Sequence, residues 1–94
     1  MTKMKIVLNI SYGGFSLSDE AIVMLQQMTG NKNLNRFSYL EEDLRDDKNL
    51  IAAVEKLGQR ANGKNANLIV TEIPTGAEIM IMEEDGWEFI EEDI

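Results

Sequence analysis

Three stretches of this chain hold side chains whose types and spacing could do chemistry. The first is Tyr12-Gly13-Gly14-Phe15-Ser16-Leu17-Ser18, two glycines between a run of β-branched residues and a helix start. Glycines let a backbone approach a ligand closely, and a helix N-terminus offers free N–H groups and a partial positive charge. An anion suits such a loop. The third glycine of a dinucleotide fingerprint is missing, and so is the Gly-Lys-Ser/Thr of a phosphate loop. The same residues also suit a tight turn, with Ser18 as helix cap and Tyr12 and Phe15 packing at the core rim. The second stretch is Arg45-Asp46-Asp47-Lys48, where Arg45 can grip a carboxylate or phosphate with two parallel hydrogen bonds. Its alternative is a surface ion pair beside an Asp47 cap.

The third stretch is acidic: Glu78, Glu83, Glu84, Asp85, Glu88, Glu91, Glu92 and Asp93. Along an extended strand one face recurs about every 6.5–7 Å. Carboxylates at that interval can imitate a nucleic-acid backbone and occupy a basic groove on another protein. They equally protect a sheet edge and keep a protein soluble. Glu83-Glu84-Asp85-Gly86 has oxygen ligands but lacks the spacing of a calcium loop.

Charge localises this third feature. Of 94 residues, 17 are acidic and nine basic, a net charge of -8. Residues 1–64 hold every basic group and eight acids, for +1, whereas residues 65–94 hold nine acids and no base. There is no histidine and no cysteine. That removes imidazole bases, thiolate nucleophiles, disulfides and the usual zinc ligands. The composition therefore points away from an enzyme and away from a metal or other cofactor. An acidic total opposes direct nucleic-acid binding. No run approaches the roughly 20 apolar residues of a membrane span, and the apolar stretch after Met1 is too short for a signal peptide. A cytoplasmic location is expected.

The elements that must position these residues follow from periodicity. Lys5 to Ser11 alternates, with Ile6, Leu8 and Ile10 on one face of an expected central strand. Ser18, followed by Asp19 and Glu20, opens a helix whose apolar face is Ala21, Ile22, Leu25 and Met28, closed at Gly30-Asn31. Residues 31–46 lack a period and suit a short strand or a pinned loop. Asp47 caps a second helix with Leu50, Ile51, Val54, Leu57 and Ala61 on its stripe, and Gly58 lies inside it or marks its last turn. Leu68 to Ile73, Glu78 to Glu84 and Trp87 to Glu92 read as strands. Asp85-Gly86 is a two-residue hairpin turn, because both positions need positive φ. The expectation is one α+β domain over residues 1–94, ordered β-α-α-β-β-β, with two helices packed on a mostly antiparallel four-stranded sheet. The strand 78–84 is apolar on both faces, so Met80 and Met82 are either covered by residues 31–46 or dock on a partner or a second copy. Trp87 and Phe89 share a face, and Trp87 suits an interface anchor.

The motifs also resemble a group of small bacteriophage and prophage proteins with no established activity. The resemblance is carried by Lys5-Ile6-Val7-Leu8-Asn9, Tyr12-Gly13-Gly14-Phe15-Ser16-Leu17-Ser18, Arg45, Asp47, Leu57-Gly58, Ala61-Asn62-Gly63, Glu72-Ile73-Pro74 and Asp85-Gly86 with Glu88. Residues 31–44 are unmatched. Members often have cysteine where Ser11 stands, and its replacement argues against an essential thiol; they often have proline where Lys48 stands, and its replacement loosens the helix entry. The resemblance implies a phage gene product and no catalytic residues.

Two functions are expected from these features. One is a binding protein that inhibits a host defence or nucleic-acid-binding protein by occupying its basic surface through Glu83, Glu84, Asp85, Trp87, Glu88, Glu91 and Glu92. The other is a protein that sequesters a nucleotide-like ligand through Tyr12, Gly13, Gly14, Phe15, Ser18, Arg45 and Asp47.

Overall fold

The computed structural model describes residues 3–76 and 79–92. Its elements are β1 (Lys3–Asn9), α1 (Asp19–Thr29), α2 (Lys48–Leu57), β2 (Leu68–Pro74), β3 (Ile79–Glu84) and β4 (Trp87–Glu92). Short 3-10 turns lie at Glu42–Leu44 and Gly58–Ala61. The α+β class and the order β-α-α-β-β-β follow the sequence pattern. The sheet differs. β1 pairs with β2 and β3 pairs with β4, each antiparallel, giving two ribbons in place of one four-stranded sheet.

Strand parity explains the division. Val7 of β1 joins Leu68 and Val70 of β2 against α1 and α2, in a cluster that includes Ala21, Leu25, Leu50, Val54 and Leu57. Ile6 and Leu8, pointing the other way, join Ile73 in a second cluster against Ile79, Ile81 and Ile90 of the β3–β4 hairpin. The β1–β2 ribbon thus lies between a helical layer and the hairpin, and both of its faces are apolar. β1 is not central in a wider sheet; it has a free edge, which other groups cover.

Local chemistry sets the element ends. Ser18 Oγ accepts from the Ala21 N–H at 3.1 Å, and Asp47 Oδ1 accepts from Asn49 and Leu50 at 2.9 and 3.0 Å. These caps satisfy N–H groups that a helix start leaves without partners. At the other end of α2, Gly58 has φ 59°, and the chain tightens into its 3-10 turn. Asp85 and Gly86 have φ 52° and 93°, as the two-residue hairpin requires. Residues 31–46 form turns and one 3-10 segment, with no strand, anchored by buried Tyr39 and Arg45.

Candidate functional site

Arg45 is the most deeply engaged charged side chain among the described residues. It is 2% exposed. Its guanidinium grips the Glu88 carboxylate through two hydrogen bonds of 2.5 and 2.6 Å. It also donates to the carbonyls of Tyr39, Val7 and Leu40 at 2.9, 3.2 and 2.9 Å. The Phe15 ring lies against the guanidinium carbon, 3.9 Å from ring centroid to carbon, so the charge is also met by a π face.

This ion pair finishes the free edge of β1. The Val7 N–H donates to the Arg45 carbonyl at 2.9 Å, and the Asn9 N–H donates to Glu88 Oε1 at 2.8 Å. An unpaired strand edge is a template for unwanted pairing, and here side chains from two distant segments occupy it. Asn9 is wholly buried and ties three loops together. Its amide donates to the Ser11 and Gly86 carbonyls, and its Oδ1 accepts from the Asn67 N–H and from the Ser11 hydroxyl.

Two expected sites are therefore redrawn. Arg45 is no free grip for a ligand anion, and Glu88 is no part of a solvent-facing acidic ribbon, because each neutralises the other inside the protein. Phe15, 3% exposed, belongs to the same core. Asp47 is spent on its helix cap, and burial together with the nearby Asp47 charge raises the pKa of Tyr39. Ser18 caps α1 and donates to the Arg60 carbonyl at 2.6 Å.

The glycines serve close approach between loops. A Cβ on Gly13 would overlap Asn65, and one on Gly63 would overlap Ser16. A Cβ on Gly86 would stand 2.6 Å from the Gly14 nitrogen and 2.7 Å from the Tyr12 carbonyl oxygen, so the hairpin turn rests on the glycine loop. Gly14 itself has φ 84°. Tyr12 swings away from the loop and meets Trp87, with ring centroids 5.2 Å apart.

That contact belongs to the outer face of the hairpin. The register sets Met80 opposite Glu91, Met82 opposite Phe89 and Glu84 opposite Trp87. Met80 is 54%, Trp87 38%, Phe89 43% and Tyr12 71% exposed. A small depression of about 130 Å³ lies among Tyr12, Glu84, Trp87 and Phe89. The second apolar face of β3 is thus partly uncovered, with Met80 exposed and Met82 half-buried, and residues 31–46 meet β3 at its backbone, where Glu42 Oε1 accepts from the Ile81 N–H at 2.9 Å. Glu84, Asp85 and Glu91 are exposed around this face, and Glu83, opposite Glu88 on the other face, is exposed as well. Glu83 also accepts from the Gly86 N–H at 2.7 Å, steadying the turn. The Glu92 backbone pairs with Ile79, while its side chain, with Glu78 and Asp93, lies outside the described residues. With Glu88 turned inward, the carboxylates form a rim around an apolar centre rather than an evenly spaced ladder.

Asn9, Arg36 and Lys64 were not singled out from the sequence. Asn9 carried one signal: a polar amide directly after the apolar run Ile6-Val7-Leu8, on the face of Val7. Its partners lie as far as 79 residues away, so no local pattern could name them. Arg36 and Lys64, isolated cations in irregular segments, gave no signal. Both line a cleft of about 540 Å³ beside Gly13, Ser16 and Ser18.

Among the described residues no group of three or more acids is placed to hold a metal ion, and no helix is long and apolar enough to cross a membrane. Compared with protein families, with curated proteins and with solved structures, the chain matches none.

Proposed function

We propose that this protein is a binding module that docks the outer face of its C-terminal hairpin on a partner with a basic surface. The observation that carries this reading is the composition of that face. Met80, Trp87 and Phe89 stand exposed with half-buried Met82 between them, rimmed by Glu84, Asp85 and Glu91, with Glu83 exposed beside the turn. Interfaces favour an aromatic or methionine centre with a polar rim, and tryptophan and tyrosine are frequent energetic anchors. Trp87 packs against the exposed Tyr12 ring on the same face, which reduces the freedom it loses on binding.

The acids decide the kind of partner. A carboxylate rim with no basic residue in residues 65–94 attracts lysine and arginine and repels acidic surfaces. Proteins that bind nucleic acid present such basic surfaces, often beside apolar or aromatic groups. Occupying one would block its nucleic acid. The resemblance to phage proteins supports a partner from a bacterial host, with this chain acting in its cytoplasm as an inhibitor of a defence or regulatory factor.

The test uses the intact protein as bait in bacterial lysate beside two variants. One reverses four hairpin acids (Glu83→Lys, Glu84→Lys, Asp85→Lys and Glu91→Lys), and the other is Trp87→Ala. A specific partner is captured by the wild type, lost with the reversal, weakened with Trp87→Ala, and displaced by added nucleic acid. Circular dichroism confirms that both variants fold. Capture that survives the reversal, or a partner that nucleic acid does not displace, refutes the reading.

A further inference from the structure

Beyond partner docking, we propose a second site: the cleft between the glycine loop and residues 62–65 binds a phosphate monoester that carries a planar ring, as a nucleoside monophosphate does. The sequence points to the glycine loop but supplies the wrong cation. Arg45 lies inside the protein on Glu88, whereas Arg36 and Lys64 line the cleft itself. Neither is in an ion pair among the described residues, in contrast to Lys5, Arg45 and Arg60. The one acid on the lining is Asp19, leaving the cleft with a positive balance on a protein of net charge -8. Among the described residues none of the hairpin acids lines it, and salt screens charges beyond about 8 Å at physiological ionic strength.

The walls are joined to one another by backbone hydrogen bonds. The Gly63 N–H donates to the Ser16 carbonyl at 2.9 Å, and the Ser18 N–H to the Ala61 carbonyl at 2.9 Å. The third wall is tied in where the Leu17 N–H donates to the Arg36 carbonyl at 3.3 Å. Gly13 and Gly63 allow these approaches, since a Cβ on either would collide with the facing segment. The space, about 540 Å³, falls within the roughly 300–1,000 Å³ of small-molecule sites.

Phe37 selects for a planar group. It lines the cleft and is 52% exposed, and the Arg36 guanidinium lies 5.2 Å from its ring centroid. A guanidinium beside an exposed ring offers an aromatic face for stacking and a cation for the attached phosphate. Arginine suits phosphate because its planar fork matches two oxygens at once.

Titration of isotopically labelled protein with adenosine monophosphate, adenosine and inorganic phosphate, followed by amide NMR, tests this. Adenosine monophosphate should give saturable shifts confined to residues 13–19, 36–37 and 62–65, and bind at least tenfold tighter than adenosine or phosphate. Arg36→Ala and Lys64→Ala should each weaken it at least fivefold, and Phe37→Ala should weaken it while leaving the response to phosphate unchanged. All three side chains are exposed, and circular dichroism checks that the variants remain folded. Shifts no larger than those from sodium chloride, wild-type affinity in a variant that carries both Arg36→Ala and Lys64→Ala, or phosphate binding as tight as the nucleotide overturns the proposal. The hairpin bears none of these residues, so failure here leaves the docking surface standing, and the reverse also holds.

Discussion

Glu88 and Glu91 lie three residues apart on one strand and have opposite fates. Glu88 points toward β1, is 6% exposed, and is held by Arg45 and the Asn9 N–H. Glu91 points outward opposite Met80 and stays exposed. The aromatic residues divide likewise: Phe15 is buried against Arg45, whereas Phe89 and Trp87 face solvent. Residue type therefore does not separate the structural region from the proposed recognition region. What separates them is which face of a strand a residue occupies and whether a distant charge arrives to meet it. A buried carboxylate is tolerated only when paired, so the pair specifies where the hairpin and residues 41–47 sit against β1.

The sharpest way to break this comparison is to remove one member of the buried pair. Glu88→Ala should lower stability by about 3–5 kcal/mol, because it strands the Arg45 charge in the interior. Arg45→Ala should cost at least as much, since it also abandons three carbonyls. Chemical denaturation of each variant measures this, and a loss below about 1 kcal/mol would place the pair at the surface in energetic terms. Next comes the contact between the two regions. Gly86→Ala should cost about 1–3 kcal/mol, because φ is 93° and the new methyl would press on the Gly14 and Tyr12 backbone.

Smaller effects sharpen the contrast. Asp47→Ala should cost about 1 kcal/mol as a lost helix cap, measurable by thermal melting. The reversal of Glu84 and Glu91 to lysine should stay within about 0.5 kcal/mol of the wild type, as befits exposed positions. The smallest effect is a dependence on pH. The Arg60 guanidinium, hydrogen-bonded to Glu20, holds that carboxyl below its ordinary value of 4.5. Its contribution is present above the unfolded value and is lost as pH falls through the lower folded one. Melting curves between pH 6 and 2 should therefore show a small acid-side loss that Glu20→Gln removes.

Much of the fold was legible in the sequence because it rests on local chemistry. Ser18 and Asp47 cap helices where their types say they should, and Asp85-Gly86 turns the hairpin with both φ angles positive. Pairing between distant segments was not legible. Alternation in β1 shows two distinct faces but not that a hairpin covers the second, and nothing near Arg45 announces a carboxylate 43 residues away. The site suffered for the same reason. Glu88 sits in an acidic run and looks like its neighbours, and Arg45 sits beside Asp46 and Asp47 like an ordinary surface charge. Trp87 and Phe89 were placed correctly on one face, because a strand's period of two needs no distant partner.

In the proposed function the outer face of the hairpin recognises a basic partner, while Glu88 only supports it from within. The most direct measurement is the affinity of the purified captured partner, followed through the fluorescence of Trp87, the one tryptophan of the chain. It should be made on Glu88→Gln and on the variant carrying Glu84→Lys and Glu91→Lys, at a temperature where both are folded. The account predicts near-wild-type affinity for Glu88→Gln and at least a tenfold loss for the double reversal. A loss confined to Glu88→Gln, with the double reversal binding as the wild type does, would contradict it.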